Sequence, residues 1–269
     1  MHYRFLNFVL CLISVFMLSS MHTKSERPKS STKSLITLTY NIHHGAPDKS
    51  DEVNLKDIAH VIKKSGAALV ALQEIDVNVP RSGNTHQAEE LAKLLDMHFY
   101  FSKSIDYSGG EYGVAILSKY PLSNTRNELL PMPTSGEQRS IALATVNLPG
   151  DKSIEFASTH LDLNAENRMA QVIHLNELSK RLNKPLFIGG DYNAQPHAAE
   201  MLALKKEFTL SCLDECPLTI PVKNPSRAID FVAHNKLASN QFKLQYTTAM
   251  EGEYASDHLP LIAIYTYAY

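Results

Sequence analysis

Acidic, amide and imidazole side chains recur where short apolar segments of this 269-residue sequence end or are interrupted. In chain order they are Asn41, Glu74, His160, Asp191, Asn193, Asp230, Asp257 and His258. Carboxylate and amide oxygens are ligands suited to Mg²⁺, and paired Asp and His side chains can transfer protons or stabilise developing charge. Any one of these residues alone is more often a turn former, a solvated acid or a structural histidine. Only their combination predicts a catalytic site.

Two of these positions are unusual in their local sequence. Asp230 interrupts the apolar segment at residues 228–232. An unpaired carboxylate among apolar neighbours is costly, so a positively charged histidine or a metal is the expected partner. Asp191 directly follows Gly189 and Gly190. Since glycine has no Cβ, these two positions allow close approach of backbone or substrate.

Hydrophobic periodicity predicts the elements that would position these residues. Alternating or short apolar runs predict strands at residues 35–40, 68–72, 113–118, 141–148, 153–158, 185–188, 228–232 and 259–267. Apolar residues three and four apart predict helices at residues 53–64, 85–97, 165–182 and 198–206. Many strands with few helices, and polar residues at the strand ends, indicate a layered α+β sandwich with its site at one rim.

Six short motifs occur in or at the edge of these strands, in a fixed order. They are Tyr-Asn-Ile-His-His-Gly at 40–45, Gln-Glu at 73–74, Ser-Thr-His-Leu at 158–161, Gly-Asp-Tyr-Asn at 190–193, Ile-Asp-Phe at 229–231 and Ser-Asp-His at 256–258. Together they resemble the endonuclease/exonuclease/phosphatase superfamily, with its deoxyribonuclease-like members, over roughly residues 35–269. Residues 76–83, 111–118 and 137–139, with Arg168 and Gln171, are most similar to its bacterial metal-dependent hydrolase branch.

The resemblance implies a four-layer αββα sandwich of two packed, mainly antiparallel sheets flanked by helices, and a divalent metal. The expected ion is Mg²⁺, with Mn²⁺ or Ca²⁺ as alternatives. Glu74 would bind it directly, with Asn41 in its shell and Asp257 serving a second metal or holding water. Asp191 would position or deprotonate the attacking water, and Asn193 would orient the phosphate.

The resemblance also assigns the two histidines. His258 would stabilise the pentacovalent phosphate, held charged and oriented by Asp230, which would supply the partner that this acid needs. His160 would contact a phosphate oxygen. Electrostatic stabilisation of this kind provides most of the catalysis in phosphoryl transfer.

Substrate contacts are predicted less directly. Arg81, Tyr112 and Arg139 are candidates, although a surface ion pair explains either arginine equally well. Residues 211–227 are interpreted as a loop on the substrate side of the site. Within it, Cys212 and Cys216 could form a local disulfide or remain reduced.

The N-terminus predicts export. Arg4 precedes an apolar run at residues 5–18, and small residues follow it, which is typical of a secretory signal. A membrane anchor is the alternative, but the run is shorter than the roughly 20 residues that span a bilayer. We therefore predict a cleaved signal peptide at 1–22, a Ser- and Lys-rich linker at 23–34 and one domain at 35–269. The mature chain is expected to be a periplasmic or secreted monomer without a membrane span.

Charge narrows the function. The chain has 26 basic residues (Lys and Arg) and 28 acidic residues (Asp and Glu). Residues 1–33 contain five of the basic and one of the acidic residues, so the rest of the chain has a net charge of −6. Nucleic-acid-binding proteins usually carry a basic surface, so nucleic acid is the less favoured partner.

The prediction is an exported Mg²⁺-dependent hydrolase of a phosphodiester or phosphomonoester in a small molecule, lipid head group or sugar phosphate. A secreted nonspecific nuclease and a non-catalytic binding module are the alternatives. No His-Glu-x-x-His occurs, which argues against a metalloprotease.

Overall fold

The computed structural model describes residues 32–212 and 215–268. The strands are β1 (Thr32–Asn41), β2 (Leu69–Val77), β3 (His98–Tyr107), β4 (Gly110–Ser118), β5 (Leu122–Leu129), β6 (Ser140–Leu148), β7 (Lys152–His160), β8 (Leu186–Asp191), β9 (Phe208–Leu210), β10 (Asp230–Asn235), β11 (Phe242–Ala249) and β12 (Leu261–Ala268). The helices are α1 (Leu55–Ser65), α2 (Gln87–Leu95), α3 (Ala165–Leu182), α4 (Ala199–Leu204) and α5 (Lys236–Ser239). Single 3₁₀ turns lie at His43–Gly45 and Pro80–Ser82.

The strands form two mixed sheets of six strands each. Their orders are β11-β12-β1-β2-β4-β3 and β5-β6-β7-β8-β10-β9. Each sheet contains one parallel pair, β1 with β2 and β7 with β8, and its other neighbours are antiparallel. Parallel strands need a long crossover, which α1 supplies in the first sheet and α3 in the second. The prediction of two mainly antiparallel sheets is confirmed.

Three apolar cores separate four layers. Between the two sheets lie side chains from both, including Leu69, Phe156, Phe187 and Leu261. A second core joins the outer face of the first sheet to α1 and α2, and a third joins the outer face of the second sheet to α3 and α4. Burial of apolar surface on both faces of both sheets stabilises the αββα arrangement that the family resemblance implies.

Several strands fall outside the sequence prediction. Strands β3, β5, β9 and β11 are the edge strands of the two sheets, and most residues of β5 and β11 are exposed or partly exposed. Strand β1 begins at Thr32, so residues 32–34, expected in the linker, pair with β12 instead. The predicted signal peptide and the rest of the linker lie outside the described residues. Among the described helices, none has the length and apolar character needed to cross a membrane.

The predicted loop at residues 211–227 is closed at its start by a disulfide. Cys212 and Cys216 are bonded, with their Cα atoms 5.0 Å apart. Of the two alternatives that the sequence left open, the structure has the bonded one. The middle of the loop is held by two backbone hydrogen bonds: Val222 N–H donates to the carbonyl oxygen of Asp257, and Leu259 N–H donates to that of Thr219.

Candidate active site

The carboxyl ends of the two parallel pairs meet, and the predicted site residues lie there. Asn41 ends β1 and is paired in register with Gln73 of β2. In the second sheet, His160 ends β7 and is paired with Asp191 at the end of β8. A hydrogen bond from Asn41 Nδ2 to Asp191 Oδ2, 3.2 Å long, joins the two sheets at this edge.

Gly189 and Gly190 allow the strands around Asp191 to pack closely. A Cβ on Gly189 would lie 2.5 Å from the Cβ of Ala71 in the opposite sheet. A Cβ on Gly190 would lie 2.7 Å from the carbonyl oxygen of Thr159 in the neighbouring strand. Of the two explanations open from the sequence, approach of protein rather than of substrate accounts for both glycines.

Glu74 enters the site from a bulge in β2. The pairing of β2 with β4 shifts register between Leu72 and Ile75, and Glu74 has a φ of +60°. Positive φ is uncommon outside glycine, and bulges redirect side chains beside active sites. Asn41 Nδ2 donates to Glu74 Oε1 at 2.9 Å. Burial raises the pKa of Glu74 despite this bond, and the negative charge of Asp257 adds to the rise.

Asp191 is the buried centre of the site. Besides the bond from Asn41, its Oδ1 accepts from the backbone N–H of Asn193 at 2.8 Å. Nε2 of His160 and Nε2 of His258 lie 3.5 and 3.7 Å from Asp191 Oδ2. Burial raises the pKa of Asp191 to about 7, helped by the charge of Asp230. A carboxyl group titrating near neutral pH is suited to general-base catalysis.

His258 is held by the acid that interrupts β10. Its Nδ1 lies 2.9 Å from Asp230 Oδ2, and Thr219 Oγ1 donates to the same oxygen. Burial lowers the pKa of His258, but the carboxylates of Asp230 and Asp191 more than reverse this and raise it to about 10. The expected charged partner of Asp230 is therefore present. Thr219 was not predicted, because no local motif singles out one threonine in a loop.

Arg139 lies inside the molecule, next to His160. Its Nη1 is 3.1 Å from His160 Nδ1 and 2.9 Å from Glu137 Oε1. Only 5% of Arg139 is exposed, so its ion pair with the more exposed Glu137 is largely inside the protein, and its contact with a substrate stays a prediction. His160 Nε2 faces Asn193 Nδ2 at 3.0 Å. Burial lowers the pKa of His160 well below its ordinary value, and the positive charge of Arg139 adds to this.

Arg81 and Tyr112 line an open cleft of about 330 Å³ beside Glu74. Arg81 donates Nε and Nη2 to the two carboxylate oxygens of Asp76, at 2.8 and 2.9 Å. Its guanidinium lies over the ring of Tyr107, 4.5 Å from the centroid. This ion pair leaves Arg81 partly exposed to the cleft, so the ion-pair and substrate-contact interpretations are compatible for it.

Two groups of residues could hold a cation. Ligand atoms of Asp191, Asp230 and His258 all lie within 4.8 Å of one another. In that group, however, His258 Nδ1 already pairs with Asp230. Glu74, with Asn41 beside it and the charge of Asp257 nearby, makes no salt bridge within 4 Å among the described residues. The charges of His258 and His43 offset its own only in part. The oxygen donors of this second group fit a hard divalent metal better.

The structure is a two-sheet sandwich with buried acids and histidines where the ends of the strands of both sheets meet. The chain belongs to the endonuclease/exonuclease/phosphatase family, whose model matches residues 38–258. This span includes every predicted catalytic and metal-binding residue, from Asn41 to His258. The family relationship supports a hydrolase acting on phosphoesters.

Individual relatives are distant. The uncharacterised Escherichia coli K12 protein YbhP is 27% identical over 241 residues, which cover 84% of this chain and 94% of YbhP. An endonuclease/exonuclease/phosphatase family protein of Bacteroides thetaiotaomicron has a similar structure, with a TM-score of 0.72, 14% identity and coverage of 89% and 100%. A mannosyl-6-phosphatase of the same species has a TM-score of 0.67, 15% identity and coverage of 85% and 98%. At these identities the structural matches establish the fold alone.

Proposed function

We propose that this protein is an exported, metal-dependent hydrolase of a phosphodiester or phosphomonoester in a small molecule, lipid head group or sugar phosphate. The observation that carries the proposal is the position of Asp191. Its carboxylate, with a pKa of about 7, lies 3.7 Å from a histidine that Asp230 keeps charged. Attack of water on an anionic ester requires a base to take the proton from the water. It also requires a fixed positive charge nearby to stabilise the charge that develops on the ester.

The residues around Asp191 have separate roles in this mechanism. Asp191 accepts the proton of the attacking water, while Asn41 and the backbone N–H of Asn193 hold its carboxylate in place. His258 donates Nε2–H to a phosphoryl oxygen and offsets the charge that develops on it. Asp230 and Thr219 orient His258 from behind. The side chain of Asn193 orients the phosphate.

The metal belongs beside Glu74. Burial and the nearby Asp257 disfavour a lone negative charge on Glu74, and a bound cation would remove that penalty. Asn41 fixes the Glu74 carboxylate, and Asp257 would serve a second metal or hold water. When bound, a divalent cation supplies Lewis-acid stabilisation of phosphoryl charge. Mg²⁺ is the first choice because all the donors are oxygens.

The substrate would extend into the cleft beside Glu74. This cleft combines Arg81 with Glu137 and two tyrosines, Tyr107 and Tyr112. Such a mixed lining suits a hydroxyl-bearing group better than a polyanion. The net charge of −6 outside residues 1–33 also disfavours nucleic acid. One structural neighbour is named a mannosyl-6-phosphatase, so sugar phosphates are substrates to test first.

Export is supported by the basic residue and apolar run within residues 1–22. Fractionation of cells expressing the full chain tests it. The expected product lies outside the cytoplasm and begins within or just after residues 20–24. A full-length cytoplasmic product would contradict export and leave the proposed chemistry untouched.

The proposed chemistry is tested with bis-p-nitrophenyl phosphate, p-nitrophenyl phosphate, sugar phosphates, phospholipids and plasmid DNA. We expect EDTA to abolish hydrolysis of the ester substrates and Mg²⁺ or Mn²⁺ to restore it, with little plasmid cleavage at moderate salt. Activity unaffected by EDTA would refute metal dependence. Rapid plasmid cleavage would favour the nuclease alternative, and no hydrolysis of any substrate would favour a binding module.

A further inference from the structure

Arg139 and His160 make a contact that constrains where the imidazole carries its proton. Arg139 Nη1 lies 3.1 Å from His160 Nδ1, and both side chains are buried. The same Nη1 lies 2.9 Å from Glu137 Oε1. Since Nη1 bears two hydrogens, it can donate one to each partner.

The guanidinium of Arg139 and the imidazole of His160 then allow only one arrangement of the hydrogens between them. A guanidinium is always protonated and has no acceptor atom. His160 Nδ1 must therefore accept, and the single proton of the neutral ring resides on Nε2. A charged ring would place two N–H donors against each other inside the protein. Burial and the positive charges of Arg139 and His258 also lower the pKa of His160, and Asp191 is the acid that faces the ring.

The proton on Nε2 faces a second donor. His160 Nε2 is 3.0 Å from Asn193 Nδ2, and Asn193 Nδ2 also donates to the carbonyl oxygen of Leu161 at 2.9 Å. That second bond fixes the amide orientation, because the reverse one would set two oxygens against each other. His160 Nε2–H and the remaining Asn193 N–H therefore cannot bond to each other. The acceptor that faces His160 Nε2 is Asp191 Oδ2, at the long distance of 3.5 Å, so a closer acceptor could bind both donors.

We propose that Arg139 is a positioning residue that holds His160 as the neutral Nε2–H tautomer, so that His160 and Asn193 present two uncharged donors to one phosphoryl oxygen. The identity of that acceptor rests on the proposed function. In this arrangement His258 supplies a positive charge to the phosphate, and His160 supplies a hydrogen bond without one. Arg139 acts through His160 and does not touch the substrate.

The test is ¹⁵N NMR of the histidine rings in the whole protein, with His160→Gln used to assign the His160 signals. We expect the wild type to show an unprotonated Nδ1 and a protonated Nε2 from pH 6 to pH 8. Arg139→Lys keeps one donor and should keep this tautomer. Arg139→Met removes the donor and should give a mixture of tautomers.

Kinetics with bis-p-nitrophenyl phosphate provide a second readout. Arg139→Met should lower kcat by about 10- to 100-fold, comparable to the loss of other residues that orient a functional histidine, with a much smaller change in KM. Arg139→Lys should recover part of this loss. Arg126→Met is the matched control, since Arg126 pairs with Glu155 rather than with a histidine, and it should leave the His160 tautomer unchanged.

A proton on Nδ1 of His160, or on both ring nitrogens, in the wild-type protein would overturn the proposal. This measurement does not require the Arg139→Met protein to fold. An unchanged tautomer in a folded Arg139→Met protein would also overturn it. The ring measurement needs no substrate. Absence of hydrolysis with the expected tautomer would therefore refute only the proposed function and the phosphoryl acceptor.

Discussion

Asp191 and Asp230 are register partners across β8 and β10, and the imidazole of His258 lies near both carboxylates. Its Nδ1 is 2.9 Å from Asp230 Oδ2, and its Nε2 is 3.7 Å from Asp191 Oδ2. Asp230 thus contacts one ring nitrogen of the histidine, and Asp191 faces the other. In the proposed mechanism, Asp230 would position the histidine and Asp191 would react, although both belong to one antiparallel pair.

Asp191→Asn and His258→Ala should each lower kcat by about 10²-fold or more, because each removes charge stabilisation or the base from the same centre. Turnover of bis-p-nitrophenyl phosphate and circular dichroism would measure activity and folding. His60→Ala, on the exposed surface of α1, is the control and should retain activity. Near-wild-type turnover in either site variant would mean that the reaction centre lies elsewhere.

Glu74→Gln should weaken metal use more than it disturbs the fold. The substitution keeps the size of the side chain but removes the charge that attracts the cation, so half-maximal activity should require at least about 10-fold more Mg²⁺. Activity measured against Mg²⁺ concentration checks this, with Glu89→Gln on the exposed face of α2 as control. An unchanged Mg²⁺ dependence would instead direct attention to the group of Asp191, Asp230 and His258.

Gly189→Ala should destabilise the protein by about 1–3 kcal/mol, the usual cost of overpacking a core. The added Cβ would meet that of Ala71 at 2.5 Å. Ala71→Gly should restore part of the lost stability in the Gly189→Ala background. It should not rescue Gly190→Ala, whose clash is with the backbone of Thr159. Urea unfolding of the two single variants and the double variant gives their free energies of unfolding. If the effects of Gly189→Ala and Ala71→Gly on this free energy are additive, the two residues are not in contact.

The buried His234 should make the fold sensitive to acid. Burial lowers the pKa of His234 to about 4 from an ordinary 6.5. The unfolded chain therefore takes up the proton first, so the stability that neutral His234 contributes is present above pH 6.5 and lost as the pH falls towards 4. The loss is on the order of 3 kcal/mol at most.

His234→Asn tests this assignment, since it keeps an acceptor for the hydroxyl of Tyr265, 3.3 Å from His234 Nδ1, but does not titrate. Unfolding free energies of this variant should fall less steeply than those of the wild type between pH 6.5 and 4.5. Equal slopes would show that His234 does not carry the effect. His44 and His160 also have lowered pKa values, so the wild-type slope alone would not identify the residue.

The sequence predicted strands well where the pattern of apolar residues was strong. Strands β1, β2, β6, β8 and β12 are buried on one or both faces, and their apolar residues either alternate or form short continuous runs. Strand β5 has the sequence Leu-Ser-Asn-Thr-Arg-Asn-Glu-Leu and lies at a sheet edge with most of its side chains exposed. Its pairing with β6 supplies the backbone hydrogen bonds that stabilise it, and a local pattern does not contain that information.

The site shows the same division. The sequence by itself determined the types of residue at the candidate site, because the six motifs carry them in order, and its resemblance to the family predicted the pairing of Asp230 with His258. Only the tertiary structure decided that Arg139 turns inward to His160, that Thr219 supports Asp230 and that Gly189 accommodates Ala71. These partners join separate segments, as Asn41 and Asp191 do across 150 residues. Gly189 meets Ala71, and Asn41 meets Asp191, only because the two sheets pack together. Arg139 instead meets His160 beside the pairing of β6 with β7 within one sheet. No local pattern of residues specifies either kind of contact.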